Sequence, residues 1–385
     1  MITGTNQPGA DGKGVIDLTD RAAWRAALAT SRPVIAHLNA DTTWLLQLPI
    51  SDSLKAPSKS RPKAKSWAPV RSRFNILIDP WLQGPQSDLA SWFSTQWHVV
   101  APHMQTLQEL NAVLVSLEED HAYASDESES PKSSYIDCIV ISHEFTDHCH
   151  QATLLELPRS VPVVATEKAA ALVRSWGHFD KVITTPGFSA SASDWQEVLV
   201  DHTGALPPWL GIGRVITEGN ALYYHSAVLI AFDLENSPDQ RATRSKDNAA
   251  QQQPEAVVYS PHGIKGPDLE CLRAAGIKTL ALLHGLHDVR IWMSAQLNLG
   301  ALNGIQAVRA SGAKYWIATH DEAKRGGGFI SWLLQRTTYS LRDVVEAEKA
   351  KGAQDENKDE EQDEDKNSAG YDFIELGSGD GLVLV

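Results

Sequence analysis

Three cysteines in 385 residues are too few, and odd in number, for a disulfide framework. Cys138, Cys149 and Cys271 therefore point to a reducing, cytoplasmic setting. No run of about eighteen apolar residues occurs, which excludes a membrane-spanning helix and makes a membrane partner unexpected. Residues 1–14 are polar and glycine-rich, without the apolar core of a secretory signal, and read as a flexible N-terminus. The chain also lacks basic excess: its net charge is −14. Basic residues gather only at 51–73, where Lys55, Lys59, Arg61, Lys63, Lys65, Arg71 and Arg73 face Asp52 alone. Trp67 is the one ring there that could stack on a base, and the proline and serine content describes a loop, so nucleic acid is not an expected partner. No internal repeat of solenoid period is present.

Much of the acidity is local. Residues 355–366 hold eight acids and two lysines, the composition of a solvated insertion rather than of a packed element. The remaining length allows two domains but suits one α/β unit. The expected organisation is a single domain over 15–385, with loop insertions near 51–73, 118–134 and 235–254 and the acidic one at 346–369.

Hydrophobic patterning predicts a helix over 21–30 capped by Thr19 or Asp20. Strands are expected at 33–38 and 41–48 as a hairpin, then at 74–78, 136–140, 161–165, 181–184, 196–200, 221–225, 227–234, 256–260, 279–283 and 315–319. Helices are expected from 153, over 167–176, 268–275 and 298–310, and a hairpin-like pair over 373–385.

What the sequence has in unusual density is imidazole and carboxylate at one strand end. The apolar run 136–140 leads into Ile141-Ser142-His143-Glu144-Phe145-Thr146-Asp147-His148-Cys149-His150. These side chains are the usual ligands of zinc and similar ions. Other strand ends carry Asp79, His225, His262 and His320, where an α/β scaffold presents loops to a common cleft. A plain structural alternative stands beside this. Asp147 and His148 could cap the element that follows, and His143 and His225 could satisfy each other in a polar core.

The stretch resembles the signature turn of the metallo-β-lactamase superfamily, His-x-His-x-Asp-His at the end of a strand. His143, Asp147 and His148 match it, and Phe145 replaces its second histidine. The resemblance extends, as short ordered motifs, over about residues 33–330. It implies a four-layer αββα sandwich of two mixed β-sheets. It makes Asp79 an acid that orients the ligand turn, His225 the third-motif histidine with His202 a weaker competitor, and His320 the fifth-motif histidine. His262 stands where the family has an acid that bridges two metals, and an imidazole cannot bridge in that way.

One family site thus keeps His143 and His225 but loses its middle ligand to Phe145. The other keeps Asp147, His148 and His320, and His262 could complete it. The expectation is a mononuclear centre holding one zinc, with manganese or iron as alternatives. The implied activity is metal-dependent hydrolysis of a small organic ester, thioester, lactone or amide by a metal-activated water. Asp147 would orient that water and His143 or His225 would move a proton. Phe145, Trp81, His284 and His287 are the expected substrate-pocket residues, with Trp92, Trp97 and Trp292 around them. A metal-poor, non-hydrolytic member that binds a ligand, or acts as a lyase or isomerase, is the competing expectation. The partner is a small-molecule substrate; oligomeric state is not readable.

Overall fold

Alternation along the strands decides the architecture. In a computed structural model, residues 14–50, 71–87, 92, 94–118, 134–192, 194–217, 224–234, 253–291, 295–327, 334–340, 346 and 370–385 are described. The first thirteen residues, Trp292 and most of each expected insertion (51–70, 119–133, 235–252 and 347–369) lie outside them.

The chain begins β1 (Val15–Asp17), α1 (Arg21–Leu28), β2 (Val34–His37), β3 (Trp44–Pro49), β4 (Arg73–Ile78), β5 (Thr95–Trp97), α2 (Leu107–Glu118) and β6 (Cys138–Ile141). It continues α3 (Gln151–Leu154), β7 (Val163–Ala165), α4 (Glu167–Ser175), β8 (Val182–Thr184), α5 (Trp195–Leu199), β9 (Leu210–Ile216), β10 (Ser226–Phe232), β11 (Glu255–Ser260) and α6 (Gly266–Ala274). It ends β12 (Lys278–His284), β13 (Asp288–Ile291), β14 (Ala295–Asn298), α7 (Ala301–Ser311), β15 (Tyr315–Ile317), β16 (Arg325–Gly327), β17 (Leu334–Thr337), β18 (Asp372–Ile374) and β19 (Asp380–Val383).

One sheet runs β1-β19-β2-β3-β4-β6-β7-β8 and the other β18-β15-β12-β11-β10-β9. Both are mixed: β4, β6, β7 and β8 are parallel neighbours, as are β11, β12, β15 and β18. Because successive side chains leave opposite faces of a strand, each sheet feeds two cores. In the first sheet Ile35, Trp44, Leu46, Ile76, Ile78 and Val140 point inward. They meet Val228, Ile230, Phe232, Val257, Tyr259 and Leu283 of the second sheet. The outward residues Val34, Ala36, Leu77 and Ile139 pack on Trp24 of α1, Leu110 and Leu114 of α2, and Val173 of α4. On the far side Leu229, Val258, Leu282 and Trp316 pack on Leu199 of α5, Leu272 of α6, and Ile305 and Val308 of α7. The order of layers is helix, sheet, sheet, helix, as the sequence reading expected. Among the described residues no helix is long and apolar enough to cross a membrane.

Several elements differ from expectation. Residues 196–199 lie in helix α5, not a strand, and Val200 is its extended C-cap: Asp194 caps the other end, its side chain accepting from Gln196 N–H at 2.8 Å. Trp195 and Leu199, one turn apart, are both buried. They lie on β9, a strand the sequence reading missed because two glycines interrupt its apolar run. Those glycines are what lets the helix approach: a Cβ on Gly213 would stand 2.3 Å from Leu199 Cδ2. Of the strand expected at 221–225, residues 221–223 are outside the described set, and Tyr224 and His225 precede β10 without strand structure. The hairpin expected over 373–385 is a crossover instead. β18 joins the second sheet beside β15, whereas β19 enters the first between β1 and β2. The small sheet β14-β13-β17 and the pair β16-β5 were also not expected.

A buried histidine makes folding pH-dependent. His37 stacks on Trp44 with ring centroids 3.7 Å apart, and its Nδ1–H donates to Leu376 O at 2.7 Å. Burial pushes its pKa down to about 4. An ordinary histidine takes up a proton near pH 6.5. Between these values the unfolded chain binds a proton that the native chain refuses, so stability falls as pH falls. Urea midpoints measured at pH 7 and pH 5 are expected to show the wild type losing about 2 kcal/mol more than His37→Gln across that interval. Equal slopes would reject the assignment.

Candidate metal centre

The carboxyl ends of the parallel strands open on one crevice, the usual position of a ligand site in such sheets. Asp79 follows β4, the signature turn follows β6, His262 follows β11 and His320 follows β15. Asp79 and His320 are the two non-glycine residues with positive φ among those described, at 42° and 59°. Strain of this kind is held by surrounding contacts and clusters at functional sites. Here the Asp79 N–H donates to Val140 O at 3.0 Å and the His320 N–H to Asp41 O at 2.9 Å.

Asp79 is fully buried and gathers the signature turn. It accepts from Ser142 N–H at 2.8 Å, from the Ser142 hydroxyl, and from His148 Nδ1–H at 2.7 Å. Two further imidazoles are anchored the same way. His262 Nδ1–H donates to Asn298 Oδ1 at 2.8 Å, and His320 Nδ1–H to Asp41 Oδ1 at 3.0 Å. With the proton on Nδ1, Nε2 of a neutral imidazole is a bare lone pair.

His148, His262 and His320 then form a group whose ligand atoms all lie within 4.8 Å of one another. His148 Nε2 and His262 Nε2 are buried and make no hydrogen bond. Burial, followed by the neighbouring His148 and His320, holds His262 well below the usual histidine range. Burial also lowers His320. Burial would lower His148 too, but Asp147 and then Asp79 outweigh it and hold that ring above its usual range. Three imidazoles gathered within 4.8 Å, each ring fixed from behind, fit a zinc-like ion that keeps an open coordination position and takes the place of the proton that Asp147 and Asp79 favour on His148.

The remaining expected residues separate into near and far. His143 is close: its ring lies 4.6 Å from His262 and 5.5 Å from His148, and its buried Nε2 makes no hydrogen bond. Burial, then His262 and His148, keep it well below the usual range. Phe145 and Tyr224 pack beside it, 5.1 Å from each other, with Tyr224 5.9 Å from the His262 ring. His225 is not brought to the group. It hydrogen-bonds the Leu297 backbone and faces Lys265 and His284, because the chain before β10 presents Tyr224 to the crevice instead.

His284 is not presented to a pocket: it is fully buried, with Nδ1 against Gly285 O and Nε2 against Asn303 Oδ1. His287 is half-buried beside Asp321, 3.9 Å away. His202 contacts Glu197 O on an exposed turn. Trp81 is buried near the centre, stacked 3.7 Å from His98. Trp97 lies on β5 beneath Arg325, and Trp92 is exposed.

Asp147 joins a second group, with Asp41 and His320. Its Oδ1 is 3.6 Å from His148 Nε2, while its Oδ2 meets Lys324 Nζ at 2.8 Å. Asp41, Asn298 and Lys324 were not foreseen from the sequence. The signal was faint for all three, since each lies in a turn or short hairpin with no ligand-like spacing.

No family profile and no characterised protein matches the sequence. Similar solved structures include an isothiocyanate hydrolase from Delia radicum gut bacteria (TM-score 0.48, 13% identity, covering 91% of this chain and 99% of that one). Another is described as a possible metal-dependent hydrolase from Veillonella parvula (0.48, 11%, 92% and 100%). A third is the metallo-β-lactamase fold protein YhfI from Bacillus subtilis (0.40, 12%, 91% and 98%). Two mixed sheets lie between helical layers in this chain, a four-layer αββα sandwich in which the signature turn closes a parallel strand.

Proposed function

We propose that this protein is a metal-dependent hydrolase of a small organic ester, thioester, lactone or amide, with one zinc-like ion held by His148, His262 and His320. The observation that carries the reading is the set of three imidazoles whose Nε2 atoms converge while Asp79, Asn298 and Asp41 hold every Nδ1. When bound, the ion supplies Lewis acidity, which polarises a carbonyl oxygen and acidifies water.

The chain's own groups supply the rest. Asp147 Oδ1, beside His148 Nε2, is placed to orient a water and take its proton. His143, whose ring lies 4.6 Å from His262, is the second proton acceptor; His225, set against Leu297, Lys265 and His284, does not serve. Phe145 and Tyr224 form an apolar wall against which an acyl or leaving group rests and which keeps bulk water from the reacting atoms.

The test is elemental analysis of protein expressed in metal-replete medium, paired with turnover of p-nitrophenyl esters, thioesters, lactones and amides. About one equivalent of metal, with turnover abolished by chelation and restored by zinc, manganese or iron, supports the reading. Protein that carries no metal ends it. Bound metal without turnover would favour a ligand-binding, lyase or isomerase member. The packing of Phe145 and Tyr224 around His143, where the family places a further ligand, speaks for that second reading.

A further inference from the structure

Two groups at the centre could each hold a cation, and they share His320. The second of them, Asp41, Asp147 and His320, already has one. Lys324 Nζ lies 2.7 Å from Asp41 Oδ2 and 2.8 Å from Asp147 Oδ2. Its side chain is 8% exposed, and the Asp41 side chain against it is completely buried. The face of the Trp81 ring is 5.4 Å from the ammonium. This is no surface lysine in a passing contact.

Its loop is fixed on both sides. The His320 N–H donates to Asp41 O, and Lys324 N–H to Glu322 O at 3.0 Å. The Glu322 carboxylate accepts from Val99 N–H at 2.7 Å, Val100 N–H at 2.9 Å and His98 Nδ1 at 2.7 Å. The ammonium is thus delivered to the two carboxylates by a loop that is itself tied down.

Asp41, Asp79 and Asp147 bring three negative charges into the buried centre and Lys324 one positive charge. A second divalent ion would need the oxygens that Lys324 holds.

We propose that the Lys324 ammonium is the resident cation of the Asp41–Asp147 group, taking the place of a second metal ion and limiting the centre to one. Asp147 is held by lysine on Oδ2 and offers the crevice Oδ1 alone. Lys324 is a positioning residue that fixes this carboxylate, and removing its charge turns the group into a second, oxygen-rich metal site of the kind manganese accepts.

This inference rests on the proposed metal centre, and the experiment separates the two. Wild type, Lys324→Met and Lys324→Arg are loaded with MnCl2 or ZnCl2, desalted and analysed for metal. Thermal midpoints are measured in EDTA and in excess MnCl2. Wild type and Lys324→Arg are expected to saturate at one equivalent. Lys324→Met is expected to melt several degrees lower in EDTA, to regain most of this in manganese, and to bind a second equivalent. Wild type binding two equivalents overturns the inference whether or not the methionine variant folds, as does Lys324→Met holding one equivalent with no manganese-dependent gain. Wild type binding no metal instead removes the centre on which the inference rests.

Discussion

Replacing His262 with alanine is expected to empty the centre of metal and to lower turnover of any accepted substrate about a thousandfold. That is the worth of roughly 4 kcal/mol of charge stabilisation. Two imidazoles and one carboxylate oxygen remain, and that carboxylate is already engaged by Lys324. The thermal behaviour separates this from simple unfolding. Wild type gains roughly 3–4 kcal/mol from an ion present at a hundred to a thousand times its dissociation constant, so chelation lowers its midpoint by several degrees. In His262→Ala, chelation is expected to change nothing. The apo form should be little worse than wild type, because one of three buried lone pairs that face one another has been removed. A variant that still binds one equivalent would reject His262 as a ligand.

The second large effect is expected at Asp79. Its carboxylate accepts from Ser142 N–H, the Ser142 hydroxyl and His148 Nδ1–H, with the Tyr259 hydroxyl a further partner, in a site closed to solvent. Asp79→Asn keeps the shape, and asparagine tolerates the positive φ of this position. Its amide turns an –NH2 toward one of these donors, leaving a buried clash of hydrogens in place of a bond. Loss of the group behind a ligand lowers metal affinity by about 10–100-fold. Leaving a buried polar partner unmatched costs about 1–3 kcal/mol in addition. Competition against a chromogenic zinc chelator reads the first effect and urea unfolding in EDTA the second. Unchanged affinity would mean that Asp79 braces the fold without steering His148.

These expectations show which parts of the centre could be read from sequence. Asp79 directly follows β4, and His148, His262 and His320 lie on the turns that follow β6, β11 and β15, and a strand's carboxyl end has a fixed place in a parallel sheet. Their convergence is a property of the layers. His225 failed by one residue: the chain ahead of β10 is not strand, so alternation could not say whether Tyr224 or His225 faces inward, and it is Tyr224 whose ring reaches His262. Asp41, Asn298 and Lys324 act through contacts between segments far apart in the chain, 279 residues in the case of Asp41 and His320. No local pattern encodes such a contact. Residues 196–200 misled in another way. Their apolar content suits a strand, and the helix emerges from a cap at Asp194 and from the two glycines of β9 that make room for it.

The late entry of β19 between β1 and β2 bears on how the protein comes to exist at all. The sheet that bears Asp79 stays split until residues 380–383 arrive, some 350 positions after their neighbours in β2 have been made. Joining ends so distant is slow. Until then β2 shows an open edge to which other unfinished chains can attach. Yield in cells should therefore be limited by clumping of incomplete molecules, and should improve when synthesis is slowed or cooled.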